Sequence, residues 1–140
     1  LIAIDANVIV HALTGKPLLR EVARNWLNVI EASRSLLITS ALSRLECLVR
    51  PLRLAKPSEA ALYEAFFDGL ISVPIEDEML DLAARIRARH PAYRTPDAIH
   101  LASAQIAQAD LFLTADRRLK AYREITVAYA LRDAPADFIR

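Results

Sequence analysis

The stretch that most constrains this chain is its opening, LIAIDANVIV, in which the apolar runs Leu1 to Ile4 and Val8 to Val10 flank Asp5 and Asn7. A strand covered by helices on both faces shows continuous rather than alternating hydrophobicity. Leu1 to Ile4 therefore predicts a buried parallel strand with Asp5 at its carboxyl end. Ligands of open α/β sheets bind at that edge, so an acid placed there is a candidate for chemistry. The same short polar side chains, Asp5 and Asn7, also suit a plain turn or a helix cap.

The rest of the chain continues the alternation. Leu19, Val22, Ala23, Trp26, Val29 and Ile30 recur at helical spacing and predict an amphipathic helix from about Leu18 to Glu31, with Trp26 in the core. Leu36 to Thr39 reads as a second strand. Ser40 then caps a helix that turns Leu42, Leu45 and Val49 inward until Pro51 stops it. Pro57 and Ser58 open a helix with Leu62, Phe66 and Leu70 on its inner side. Ile71 to Ile75 reads as an edge strand, because Pro74 cannot donate to a ladder. A helix from Asp77 to about His90 places Leu80, Ala83 and Ile86 inward. Thr95 as N-cap, Pro96 at the first helical position and Asp97 in the first turn start another, running to about Gln108 with Ala98, Leu101, Ala102 and Gln105 on its packed face. Leu111 to Thr114 is a strand, Ala115 to Tyr122 a short helix and Ile125 to Tyr129 a last strand. Strands alternating with helices, without a hairpin signal, predict a parallel sheet covered on both faces. The 140 residues suit one domain spanning the whole chain.

Hydrophobic content of 54% with 25% charged residues excludes disorder, and no apolar run approaches the roughly 20 residues of a membrane span. Cys47 is the only cysteine and no leader pattern precedes the first strand, so a soluble cytoplasmic protein without disulfides is expected. A net charge of +1 argues for no partner by itself. Its distribution is uneven: Pro57 to Ala84 holds seven acids and no Lys or Arg. Basic residues gather at Arg44, Arg50, Arg53 and Lys56, at Arg85, Arg87, Arg89 and Arg94, and at Arg117, Arg118, Lys120 and Arg123. Such clusters serve either as phosphate-binding surface or as solvated helix faces.

Four acids stand at element ends that a parallel sheet can bring to one edge: Asp5, Glu46, Asp97 and Asp116. Each has a plainer use. Asp97 complements a helix dipole, Glu46 closes a capping box with Ser43, and Asp116 caps the next helix. Together they point further. Carboxylates about 5 Å apart repel by roughly 3 kcal/mol per pair at an effective dielectric near 20, and a divalent cation relieves that strain. An all-oxygen set with no His or Cys at metal spacing suits Mg²⁺ or Mn²⁺ rather than zinc. Such ions serve phosphoryl chemistry.

Four segments, Ile4-Asp5-Ala6-Asn7-Val8-Ile9, Ser43-Arg44-Leu45-Glu46, Pro96-Asp97-Ala98-Ile99-His100-Leu101-Ala102 and Thr114-Ala115-Asp116, resemble in order and spacing the PIN-domain ribonucleases, and within them the VapC-like toxins of toxin–antitoxin pairs. The resemblance spans nearly the whole chain. It implies a three-layer α/β/α sandwich with a central parallel sheet, Mg²⁺- or Mn²⁺-dependent cleavage of RNA, and a metal pocket formed by Asp5, Glu46, Asp97 and Asp116. It also implies a small antitoxin that occludes the pocket, and a homodimer. One departure stands out, since many members carry Thr or Ser where this chain has Ala6; Asn7 and Thr114 would then orient the ligands.

Other residues were weighed for the site. Arg94 and Arg117, beside the two later acids, are candidates to hold RNA phosphates or simply to pair locally. His100 shares a helix face with Asp97 but lies a turn deeper, which favours a structural histidine. Cys47 reads as packing rather than a nucleophile. Leu52, Leu54, Tyr63 and Phe67 offer apolar surface for the dimer, with completion of the core as the other use of Tyr63 and Phe67. Two other functions stay open at this level. One is a haloacid-dehalogenase-like phosphatase with Asp5 as nucleophile, for which Asn7 is a poor general acid. The other is a catalytically weak PIN-like binding module.

Overall fold

A computed structural model describes residues 1–140. Five strands, β1 (Ile2–Ile4), β2 (Leu37–Ser40), β3 (Ile71–Val73), β4 (Leu111–Thr114) and β5 (Val127–Tyr129), pair in parallel in the order β3-β2-β1-β4-β5. The chain winds outward from β1 to β3 and then crosses back to lay β4 on the other side of β1. The strand order therefore reverses between β1 and β4. A crevice opens at the carboxyl ends of the strands at such a reversal, and Asp5 and Asp116 stand on its two lips.

Six helices cover the sheet: α1 (Ala6–Thr14), α2 (Pro17–Ala32), α3 (Leu42–Arg53), α4 (Pro57–Asp68), α5 (Asp77–Arg89) and α6 (Thr95–Ile106). Successive strand side chains point to opposite faces. Ile2, Ile4, Leu111 and Leu113 accordingly pack with Trp26, Ile30, Cys47, Tyr63 and Phe67 from α2, α3 and α4. Ala3, Ile38, Phe112 and Val127 pack with Met79 and Ile86 of α5 and with Ala98, Leu101 and Ala102 of α6. Two cores thus sandwich one sheet, which is the three-layer arrangement expected. No helix is long and apolar enough to cross a membrane.

Several local expectations are corrected. Val8 to Val10 belong to α1, a helix the opening stretch did not announce; Val8, Ile9 and Ala12 form its buried side. Gly15 ends it, and a Cβ there would lie 2.5 Å from the His11 carbonyl oxygen. Two helices are rotated by about one residue from their expected faces, and a third, α5, keeps its expected face but for one residue. In α3, Ser43, Cys47 and Pro51 are buried while Leu45 and Val49 are exposed. In α4, Ala60, Tyr63 and Phe67 are buried and Leu62 is exposed, so Tyr63 and Phe67 are core and only Leu52 and Leu54 of the expected apolar surface remain outside. In α5, Ala83 and Ile86 are buried as expected, but Met79 is buried in place of Leu80, which is exposed. Apolar residues stand on both sides of these helices, so periodicity alone does not choose the inner one.

Pro51 does not stop α3. It sits in the last turn, where only one backbone hydrogen bond is lost to it. Helix α6 begins at Thr95 with Arg94 as N-cap, which moves Pro96 to the second helical position. Between β4 and β5 the short helix expected within Ala115 to Tyr122 is present, as a 3-10 turn over Arg117–Ala121.

Candidate active site

Asp5, Asn7, Glu46, Arg94, Asp97, His100 and Asp116 line one cavity of about 250 Å³ at the carboxyl edge of β1 and β4. Four segments deliver the four acids. Asp5 follows β1 as the N-cap residue of α1, Glu46 lies in the second turn of α3, Asp97 in the first turn of α6, and Asp116 just after β4.

The β1 and β4 ends are tied by small polar side chains. Thr114 Oγ1 donates to Asp5 Oδ2 at 2.8 Å and accepts the Asp116 backbone N–H at 3.0 Å. Asn7 Oδ1 accepts the Ala115 N–H at 3.0 Å, and Asn7 Nδ2 lies 3.5 Å from Thr114 Oγ1. These bonds fix the direction of the Asp5 carboxylate and the course of the β4 exit. Ala6 is buried and adds no hydroxyl, so Asn7 and Thr114 are the polar groups present there.

Asp5 is only 6% exposed. Burial, reinforced by the charges of Glu46 and Asp97, raises its pKa above the ordinary carboxylate value despite the opposing influence of His100 and Thr114. His100, 3% exposed, sits between two acids, with Nε2 2.5 Å from Glu46 Oε1 and 3.7 Å from Asp5 Oδ1. Burial alone would lower its pKa. The bond to Glu46 and the negative charges of Asp5, Glu46 and Asp97 outweigh that and hold the pKa above the usual histidine value.

Arg118 holds the other pair. Its Nη2 lies 2.6 Å from Asp116 Oδ2 and 3.0 Å from Asp97 Oδ2, its Nε donates to Asp116, and its Nη1 donates to the Ala92 carbonyl at 3.1 Å. Burial would raise the Asp116 pKa, but the Arg118 bonds and charge prevail and lower it. Asp97 Oδ2 also accepts the Arg94 backbone N–H at 2.9 Å, as a helix-capping carboxylate does.

The expected residues therefore meet in one place with one exception. Arg94 lines the cavity with its guanidinium out at the rim, 76% exposed, whereas Arg117 is exposed and does not line it. The turn after Asp116 puts Arg118, not Arg117, over the acids. The capping box between Glu46 and Ser43 does not form: Ser43 is bonded to Thr39, and Glu46 to His100. Sequence reasoning left His100 out of the site, although its spacing of three from Asp97 was the available signal. It named Arg118 only within a basic cluster, with no signal that singled it out from Arg117.

A hard divalent cation suits this donor set, four carboxylates with neutral oxygens from Thr114 and Asn7 beside them. No three of the groups already converge as a ligand set. They face His100 and Arg118 instead; Arg118 supplies positive charge to the cluster, and His100 adds to it when protonated.

A sheet that reverses order between β1 and β4, with acids from four segments at that edge, defines a class of parallel α/β domain with a carboxylate centre. The chain belongs to the PIN domain family, whose sequence pattern matches residues 2–125. It is 31% identical over 122 residues to Ribonuclease VapC47 of Mycobacterium tuberculosis, with 85% of this chain and 87% of that protein aligned. Solved structures share the fold. VapBC2 from Rickettsia felis, bound to a DNA fragment from their promoter, superposes with a TM-score of 0.74 over 91% of this chain and 96% of that chain at 14% identity. A toxin–antitoxin complex from Klebsiella pneumoniae gives 0.71 over 93% and 98% at 17% identity. FitAcB from Neisseria gonorrhoeae gives 0.66 over 95% and 100% at 20% identity.

Proposed function

We propose that this chain is a divalent-cation-dependent endoribonuclease and the toxin of a toxin–antitoxin pair. The observation that carries the reading is the meeting of Asp5, Glu46, Asp97 and Asp116 in one cavity at the strand-order reversal of a PIN-family sheet. Kinship with a protein named as a ribonuclease supports hydrolysis of RNA phosphodiesters, and the oxygen-rich donor set favours Mg²⁺ or Mn²⁺. When bound, such an ion supplies Lewis acidity to phosphate oxygens and an acidified water.

The chain's own residues set the stage for that. Asp5, Asp97, Asp116 and Glu46 hold the cation. Thr114 and Asn7 keep Asp5 and the β4 exit in register. His100 holds Glu46 at 2.5 Å and lies 3.7 Å from Asp5. Arg94, at the rim, meets the phosphate backbone of an incoming RNA, which the acids alone would repel. The phosphatase alternative fails on family membership and on Asn7, whose Oδ1 accepts the Ala115 N–H and whose amide does not ionise as a general acid must.

Toxin–antitoxin complexes among the structural neighbours support a small protein partner, which on this reading covers the cavity of a cytoplasmic enzyme. Leu45, Val49 and Leu52 form an exposed apolar stripe on α3, and Leu54 and Leu62 lie near it in sequence or on the next helix; this surface suits a homodimer. Incubating purified protein with structured RNA in Mn²⁺, Mg²⁺ or EDTA tests the activity. Cleavage in either metal and none in EDTA is expected; cleavage unaffected by EDTA, or none in any condition, overturns it. Light scattering should give the mass of two chains at low and high salt.

A further inference from the structure

The guanidinium of Arg118 lies where a cation shared by Asp97 and Asp116 would have to act. It bridges the two carboxylates through one nitrogen, Nη2, at 3.0 and 2.6 Å. It is anchored independently of them by the 3.1 Å bond from Nη1 to the Ala92 carbonyl, while its backbone N–H donates to Asp116 Oδ1 at 2.9 Å. A divalent cation and Arg118 cannot both be the main counter-charge of the same two carboxylates. If the ion takes them, the guanidinium loses its anionic partners but stays tethered beside Asp97 and Asp116 by Ala92 and the 3-10 turn. Its side chain is 41% exposed, so the fork is open to solvent there.

A guanidinium deprived of carboxylates matches a phosphate by the same bidentate geometry. We infer that Arg118 is an exchange residue: it is the resident counter-ion of Asp97 and Asp116 before a divalent cation enters, and a ligand of the RNA backbone phosphate afterwards. This rests on the metal-dependent ribonuclease reading above. It adds to that reading a binding residue, and an order of events in which cation entry frees the group that receives substrate. RNA arriving first would find Arg118 already paired with Asp97 and Asp116 and not free for a phosphate, so productive binding follows the cation.

The test is a single substitution with two readouts that must move in opposite directions. Calorimetric titration of Mn²⁺ into the intact protein reads cation affinity. Fluorescence anisotropy of a labelled single-stranded RNA, in saturating Ca²⁺ to hold hydrolysis down, reads RNA affinity. Arg118→Gln should bind Mn²⁺ about tenfold more tightly, because no internal cation competes. It should bind RNA about tenfold more weakly, with a salt slope shallower by about one counter-ion. Arg118→Lys, which keeps the charge without the fork, should restore the wild-type Mn²⁺ affinity more fully than the RNA affinity. Arg117→Gln should leave the Mn²⁺ titration unchanged. Both affinities weakening together would mark a structural role, and either affinity remaining at its wild-type value would also overturn the exchange. The underlying reading fails separately, if the wild-type protein takes up no Mn²⁺ at all.

Discussion

Asp133 and Asp97 are both largely shielded carboxylates that engage basic side chains, yet their surroundings are built to opposite ends. Asp133 Oδ2 accepts from Lys120 Nζ at 2.6 Å and from the Tyr129 backbone N–H at 2.8 Å, and Oδ1 accepts from Arg132 at 3.3 Å. Lys120 is closed off in turn by the Val127 carbonyl at 2.7 Å and by the Phe138 ring, 4.9 Å from its ammonium. One acid has more positive charge and more donors than it needs, and the cluster ties β5 to the chain that follows it. Around Asp97 the balance is reversed. Four carboxylates share Arg118 and His100, with Arg94 only at the rim. A charge cluster with a surplus of partners holds a fold together. One with a deficit is poised to take up a cation, which is why the sheet edge and not the β5 clasp reads as the site.

The sharpest way to break this contrast is to neutralise one acid in each cluster. Asp97→Asn should lower RNA cleavage by orders of magnitude while the melting temperature holds, because the amide oxygen still accepts the Arg94 N–H. Parent-like cleavage would reduce Asp97 to a helix cap. Glu46→Gln should behave alike, losing activity but keeping stability; it also tests His100, whose partner it weakens. Asp133→Asn should do the converse, with cleavage retained and stability reduced by about 1 kcal/mol, measured by urea denaturation.

Cation binding gives the next largest effect. Ions bound only by the folded state should raise the melting temperature by several degrees at a hundredfold excess over the dissociation constant, equivalent to about 2.7 kcal/mol. The Asp133→Asn protein should show the same shift and the Asp97→Asn protein a much smaller one. Equal shifts in both variants would place the ion elsewhere.

A smaller effect follows from pH. Burial would raise the Asp133 pKa, but the bonds from Lys120, the Tyr129 N–H and Arg132 prevail and lower it. Its contribution to stability is therefore present above the unfolded carboxylate value and is lost as pH falls through the depressed folded value. The melting-temperature gap between the parent and Asp133→Asn should be widest near neutral pH and close in strongly acidic buffer. A gap that widens on acidification would contradict the clasp.

How much of this was legible in the chain differs from element to element. Leu111–Thr114 and the parallel class were readable because strands buried on both faces leave continuous apolar runs. Trp26 was readable as core; it is 1% exposed, with its indole N–H bonded to the Ala130 carbonyl. The four acids were readable as a set because each follows a strand or opens a helix. Helix α1 was not, since Val8 to Val10 fit a strand as well as a helix and the stop signal, Gly15, was not weighed. Helix ends were blurred too: Arg34, Ala55 and Gln108 adopt positive φ just beyond α2, α3 and α6, where glycine is the usual marker. Arg118 was hidden for a further reason. Its partners lie 2 and 21 residues away, and the second distance is set by packing that no local pattern encodes.

Anomalous scattering from crystals grown in Mn²⁺ tests the central claim most directly, because it locates the ion without reference to activity. A single strong peak inside the cavity, in contact with the carboxylates of Asp97 and Asp116 and with Arg118 released from both, is the result expected. A cavity without a peak at saturating Mn²⁺, with Arg118 still bridging Asp97 and Asp116, would contradict it.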